Sequence, residues 1–235
     1  MSIYSVDDHS FSIEIDDFIF DFDFTKTAIV GGTGSGKSSL AKLLLRLSDP
    51  TVGKVTLGGI PLTQMTQEQI RSHISYVPQK AFLFSGTILS NLQMGNEHAL
   101  PEELAKAIKI AQLEELVDTL PDGLDSFVAQ GGSNYSGGQK QRICIARALI
   151  KPAEIYVFDD SFSALDYKTD AALRAALHKH MSEKTLVIVA QRLSTIQQAD
   201  NIIVLDEGKI VGQGTHEELL SNCQTYQEFA KSQGI

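Results

Sequence analysis

The sequence predicts an α/β fold built on a parallel sheet, and three observations carry that prediction. A short apolar stretch runs directly into a glycine-rich loop and then into leucines at helical spacing, over residues 27–47. Three further apolar runs of strand length, 155–158, 186–190 and 202–205, are separated by helical patterns. Strands buried on both faces read as continuous apolar runs, and helices between them are the crossovers of a parallel sheet. Residues 11–15 and 18–24 instead alternate apolar and polar side chains, the mark of half-buried antiparallel strands.

In chain order, the run at 27–30 feeds the glycine loop, and Leu40, Leu43, Leu44 and Leu47 follow with helical period. Residues 55–57 and 74–77 read as short strands. From Phe82 to about Leu149 the pattern becomes helical. Pro101, Glu102 and Glu103 make a helix start, since proline is tolerated in a first turn and acids favour the positive end of the dipole. Leu104, Ile108 and Ala111 give that helix an apolar face, and the tail from Thr215 reads as amphipathic helix. No internal repeat, low-complexity stretch or flexible linker stands out, so 235 residues fit one large unit or two intimately joined subdomains.

The composition narrows the classes of function. Hydrophobic residues make up 43% of the chain, enough for a sizeable core. A net charge of −9 argues against a nucleic-acid partner, because phosphate contacts need clustered Lys and Arg. Cys144 and Cys223 form no metal-spaced pair and read as thiols of a reducing compartment. His178 and His180 are two apart, so on a helix they point in different directions rather than towards one ion. No apolar run approaches the roughly 20 residues that span a bilayer. The chain starts without a basic-then-apolar leader, so any membrane role is expected to come through a partner.

Gly31-Gly32-Thr33-Gly34-Ser35-Gly36-Lys37-Ser38 matches GxxxxGK[ST] in full, with Ser39 next in line. Its glycines let the backbone curl so that successive N–H groups face phosphate oxygens, and the following helix adds its positive end. Lys37 is expected to neutralise the β- and γ-phosphates of ATP and Ser38 to ligate Mg²⁺. Residues 155–159 form an apolar strand ending in Asp159, a carboxylate suited to holding Mg²⁺ through its water shell. The carboxyl ends of parallel strands are where ligands collect.

Tyr135-Ser136-Gly137-Gly138-Gln139, followed by Lys140-Gln141-Arg142, resembles the LSGGQ signature of ATP-binding cassette (ABC) proteins, with Tyr135 in place of leucine. Ser136 and the two glycines open a helix whose N-terminus can face an anion at close range. The resemblance continues through nearly the whole chain. Gln79 resembles the Q-loop glutamine that senses Mg²⁺, and Ser163-Ala164-Leu165-Asp166 resembles the D-loop that couples the two halves of a dimer. Residues 82–88 and Asn91-Leu92 resemble the exporter branch, including multidrug and peptide exporters, where this surface meets the coupling helices of transmembrane domains. Ordinary core packing is the alternative for Phe82 and Phe84. The aromatic residue that stacks on adenine in the family falls on Tyr4, with Phe11 as rival.

The resemblance implies the ABC ATPase fold: a RecA-like P-loop core with an antiparallel β edge, at about residues 1–79 and 151–235, and an inserted helical subdomain at about 80–150. It implies a head-to-tail dimer with a second nucleotide-binding domain, in which Ser136, Gly137, Gly138 and Gln139 complete the partner's ATP site. It further implies transmembrane partners, and a place at the cytoplasmic face of the cell membrane through them.

Two residues depart from the family at the hydrolytic positions. Asp160 stands where a glutamate activates water, and Gln191 stands where a histidine holds the γ-phosphate. Aspartate keeps the charge but is shorter by about 1.5 Å. An amide still donates a hydrogen bond but carries no positive charge. Residues 128–132 resemble the exporter X-loop, with Gln130 replacing its glutamate. The expected protein binds ATP and hydrolyses it slowly at its own site, like the degenerate-site subunit of a heterodimeric exporter whose other subunit keeps Glu and His. A homodimeric transporter ATPase and a non-hydrolysing ATP-binding regulatory module are the alternatives. A nucleic-acid-linked ATPase of the same family is disfavoured by the acidic balance and by the lack of coiled-coil, zinc-insert or tandem-cassette signals.

Overall fold

A computed structural model of the protein describes residues 11–15, 18–22 and 26–235, with side chains from residue 26 onward. The chain begins with strands β1 (Phe11–Ile15), β2 (Phe18–Phe22) and β3 (Lys26–Gly31), then helix α1 (Lys37–Leu44), β4 (Lys54–Leu57) and β5 (Ile60–Pro61). It continues through α2 (Gln67–His73), β6 (Ile74–Val77), β7 (Gly86–Thr87), α3 (Ile88–Gln93), α4 (Pro101–Ile110), α5 (Glu114–Thr119) and β8 (Phe127–Val128). Then come α6 (Gly137–Ile150), β9 (Ile155–Asp159), α7 (Tyr167–His180), β10 (Thr185–Val189), β11 (Asn201–Asp206), β12 (Lys209–Gly214), α8 (His216–Asn222) and α9 (Gln224–Ser232). Contacts group these into two compact units. The first comprises the described residues up to Ile74, with Ala153–Val157 and Glu183–Ile235, the second Ser75–Pro152 and Phe158–Ser182.

In the first unit the sheet order runs β12-β11-β3-β10-β9. Strands β11 and β10 flank β3 in parallel, with Ile202 and Leu186 beside Ala28 and Lys26 respectively. Ala28, Ile29, Val30, Ile202, Ile203 and Val204 are fully buried, which is why these stretches read as unbroken apolar runs. β12 closes the edge antiparallel to β11, and its residues alternate between exposed and half-buried. The alternating stretches near the start of the chain pair antiparallel as expected, Phe11 with Phe22, and β1 also pairs with β4 to give a sheet β2-β1-β4-β5.

Two boundaries in this unit differ from the periodicity. Helix α1 stops at Leu44, and Leu47 is 57% exposed rather than part of the apolar stripe. Arg46 ends the helix: its φ is 48°, and its guanidinium donates to the Leu62 and Met65 carbonyls, both at 2.8 Å. The tail is two helices, broken at Cys223, whose φ of −116° and ψ of 106° are extended. Thr215 and Glu218 cap α8 reciprocally, the arrangement that satisfies two otherwise orphaned amides.

The second unit is largely helical, as the pattern over 82–149 predicts, but it also contains a two-residue ladder between β7 and β8, Gly86 opposite Val128. Gly86 sits at φ 148°, where side chains are disfavoured. A ladder this short is beneath the reach of any periodic signal. Pro101 occupies the first turn of α4 and the Glu103 carboxylate accepts from the Leu100 amide at 2.8 Å. Ile108 and Ala111 are buried on that helix face and Leu104 is half-buried. Among the described residues no helix is long and apolar enough to cross a membrane.

Candidate nucleotide-binding site

The glycine loop leaves the end of β3 and turns into α1 in the first unit. Gly34 and Gly36 hold φ values of 83° and 99°, left-handed geometry that lets the loop double back. Gly31 is required for a different reason. A Cβ there would lie 2.2 Å from the Leu205 carbonyl oxygen and 2.6 Å from Ser35 Oγ. Lys37 is only 7% exposed, and its ammonium donates to the Gly31 and Gly32 carbonyls at 2.8 and 2.7 Å. No side chain caps α1 at Gly36. Ser35 is 4% exposed, and its hydroxyl has no hydrogen-bond partner among the described residues. A buried hydroxyl of this kind costs free energy unless something satisfies it. The orphaned hydroxyl, the central ammonium and an uncapped helix start fit a phosphate group, and Ser38 adds the hydroxyl suited to Mg²⁺.

Gln191 follows β10 by two residues. Its carbonyl accepts from Gln233 Nε2 at 2.8 Å, while Gln233 Oε1 accepts from the Leu193 amide at 2.8 Å. This contact was not legible in the sequence: Gln233 lies 42 residues downstream, just past the end of α9, with no motif around it.

The carboxylate pair lies in the second unit. Asp159, the last residue of β9, is 3% exposed and accepts from the Tyr76 hydroxyl at 2.9 Å. Burial, then the charge and hydrogen bond of Asp159, push the Tyr76 phenol well above its ordinary pKa. Asp160 is 7% exposed with φ 46°, and its Oδ2 accepts from Gln79 Nε2 at 2.9 Å. The fold thus brings Gln79 and Asp160 into direct contact. Tyr76 was missed in the sequence reading, although a tyrosine on a strand three residues before Gln79 signals a hydroxyl in need of a partner.

The signature residues open α6. Ser136 Oγ accepts from the Gln139 amide at 3.2 Å and Gln139 Oε1 from the Ser136 amide at 2.8 Å, a capping box that fixes the start of the helix. A Cβ on Gly138 would come within 3.2 Å of the Ala164 carbonyl oxygen and 3.9 Å of the Leu165 side chain, so Ala164 and Leu165 lie close behind Gly138. Asp166 caps α7, accepting from the Thr169 amide at 3.0 Å, and that bond lowers its carboxyl pKa.

Phe82 and Phe84 are 48% and 49% exposed and meet edge to face, with ring centroids 5.1 Å apart. Exposure of this extent overturns the core-packing alternative. Their backbone is anchored from below: fully buried Asn91 bonds the amide and carbonyl of Phe84 at 2.9 and 2.8 Å. Arg147 donates to the Phe82 carbonyl at 3.0 Å. Gln130 starts a single 3₁₀ turn, Gln130–Gly132, in which the Gly131 amide donates to the Leu83 carbonyl at 3.0 Å. Tyr4 lies outside the described residues, as does the side chain of its rival Phe11.

An α/β sheet with a glycine loop between a buried strand and a helix defines a nucleotide-binding class of protein. Comparison with known proteins narrows the class. The ABC transporter family matches residues 22–163. An uncharacterized ABC transporter ATP-binding protein of Mycobacterium tuberculosis (strain ATCC 25618 / H37Rv) is 50% identical over 90% of this chain and 36% of its own length. The ATP-dependent lipid A-core flippase of Chromobacterium violaceum is 41% identical over 85% of this chain and 34% of its own length. A solved structure of a bacterial Atm1-family ABC exporter with ATP bound superposes with a TM-score of 0.92 at 34% identity, covering 99% of this chain and 43% of that one. The chain belongs to the ABC transporter family and has the ABC ATPase fold. It spans little more than a third of the length of the curated relatives it matches, 36% for the first of them.

Proposed function

We propose that this chain is the ATP-binding and hydrolysing domain of an ABC exporter, working as one half of an ATP-sandwich dimer, and that its own site hydrolyses slowly. Gly31, Gly32, Thr33, Gly34, Ser35, Gly36, Lys37, Ser38 and Ser39 cradle the phosphates, and Ser38, Asp159 and Gln79 serve Mg²⁺. Bound Mg²⁺ supplies charge neutralisation of the phosphate oxygens. Asp160 and Gln191 fill the hydrolytic positions, Ser136 to Gln139 act on the partner's nucleotide, and Asp166 couples the two halves. The partner is a second, non-identical nucleotide-binding domain with Glu and His at those positions. The exposed Phe82–Phe84 pair is the seat for a transmembrane domain, which holds the chain at the cytoplasmic face of the membrane. The matches to exporters and to a flippase support transport as the work performed.

One observation carries the slow-hydrolysis reading. The carboxylate after Asp159 is short, buried and already engaged by the Gln79 amide at 2.9 Å. A general base must reach the proton it takes, and displacement by about 1 Å can reduce rate roughly a hundredfold. Gln191 adds a neutral amide where a charged imidazole could assist. Steady-state Mg-ATP hydrolysis by this chain, beside an Asp160→Glu, Gln191→His double variant, tests the reading. The native chain is expected to be nearly inert and the variant to rise by about tenfold or more. A native rate comparable to the variant's would sink the degenerate-site reading and favour a homodimer.

A further inference from the structure

We infer that Gln233, just beyond the end of α9, is a positioning residue for the Gln191 segment, so that recognition of the terminal phosphate depends on the C-terminal helix. This rests on the reading in which Gln191 faces that phosphate. The geometry is a two-point clamp. One side-chain amide donates to the Gln191 carbonyl and accepts from the Leu193 amide, each at 2.8 Å, and so brackets Arg192. Residues Leu193–Thr195 form one turn of 3₁₀ helix, and Arg192, its N-cap residue, provides no side-chain cap. Gln233 provides the missing acceptor from 40 residues away. Only a primary amide both donates and accepts across this span; glutamate lacks the donor and lysine the acceptor.

The clamp is mounted on a fixed element. Tyr226 of α9 is fully buried with its hydroxyl 2.7 Å from His216 Nδ1, and Ala230 is 2% exposed. The Gln233 amide itself bonds the Phe229 and Ala230 carbonyls at 3.2 and 3.1 Å. The same helix also reaches the phosphate loop. The Phe229 ring stands 3.9 Å from where a Cβ on Gly32 would lie. One helix therefore abuts the cradle with Phe229 and holds the Gln191 segment with Gln233, and it sets the spacing between them.

Equilibrium binding of Mg-ATP and Mg-ADP to the full chain, read by displacement of a fluorescent nucleotide, tests the inference. The measured quantity is the ratio of the two affinities, because a merely structural defect weakens both alike. Gln233→Ala is expected to lower the ATP preference about two- to tenfold, the scale of one or two hydrogen bonds, with ADP affinity unchanged. Gln233→Glu, which keeps only the acceptor, should fall between. Gln191→Ala is the control and should lower the ratio at least as much. If Gln191→Ala lowers the ratio and Gln233→Ala does not, the clamp has no functional role and the inference alone fails. If Gln191→Ala leaves the ratio unchanged, the role assigned to Gln191 fails and the inference with it. Equal losses of ATP and ADP affinity in Gln233→Ala overturn it as well.

Discussion

Removing a single oxygen from Tyr76 should loosen Asp159, the carboxylate at the end of β9. The Tyr76 hydroxyl donates to Asp159 Oδ2 at 2.9 Å, and the aspartate is 3% exposed. A hydrogen bond to a charged acceptor contributes about 1.5–3 kcal/mol. Tyr76 is half-buried, so water replaces part of what is lost, and about 1–2 kcal/mol remains as the expected coupling. Tyr76→Phe keeps the ring and its packing, so little else changes. The assay is a double-mutant cycle of Tyr76→Phe and Asp159→Ala, measured by urea unfolding with far-UV circular dichroism. With a urea slope of about 2 kcal/mol/M, Tyr76→Phe should lower the midpoint by roughly half a molar to one molar. In the Asp159→Ala background, with the acceptor gone, the same change should do much less. Additive effects, with coupling below about 0.5 kcal/mol, would refute the idea that Tyr76 fixes this carboxylate and would leave it positioned by β9 alone.

Three further outcomes follow from the same geometry. Gly31→Ala should destabilise by about 1–3 kcal/mol or fail to fold, since its Cβ meets the Leu205 carbonyl at 2.2 Å; Gly34→Ala, with open space but φ 83°, should lose only about 1–2 kcal/mol of backbone energy, and equal melting temperatures for the two would contradict this division. Asn91→Ala strips three hydrogen bonds from the Phe84 and Thr87 backbone in a fully buried position and should cost about 2–4 kcal/mol, whereas Phe84→Ser should change stability little, within roughly 0.5 kcal/mol; thermal melts compare them directly. Burial pushes the Tyr226 phenol up to about 12 from an ordinary 10.0. A raised folded pKa means the protonated phenol stabilises the fold fully below pH 10, and that contribution disappears as pH rises towards 12. Alkaline unfolding should therefore flatten in Tyr226→Phe, and an unchanged pH profile would discount the burial effect.

The parallel strands and the glycine loop were open to reading because both carry local chemistry: unbroken apolar runs for one, fixed glycine spacing for the other. The stop of α1 was not, because Arg46 ends it through carbonyls of residues 62 and 65, well downstream. The Tyr135–Gln139 motif, Gln79, Asp160 and Gln191 were all visible as residue types. Their partners were not. That Gln79 meets Asp160, that Tyr76 meets Asp159 and that Gln233 meets Gln191 are contacts across 81, 83 and 42 positions, which no window of sequence encodes. The conformation of Asp160 was equally hidden. At φ 46° it occupies left-handed space that aspartate enters more readily than glutamate. The aspartate therefore has a backbone reason as well as a chemical one.

Helix α6 is fixed near both of its ends. Ser136 caps its start, and Arg147, three residues from its other end, grips the carbonyl of exposed Phe82 at 3.0 Å. Eleven residues of helix separate the two, about 16 Å at 1.5 Å per residue. Over that arm a tilt of about four degrees at one end moves the other by roughly 1 Å.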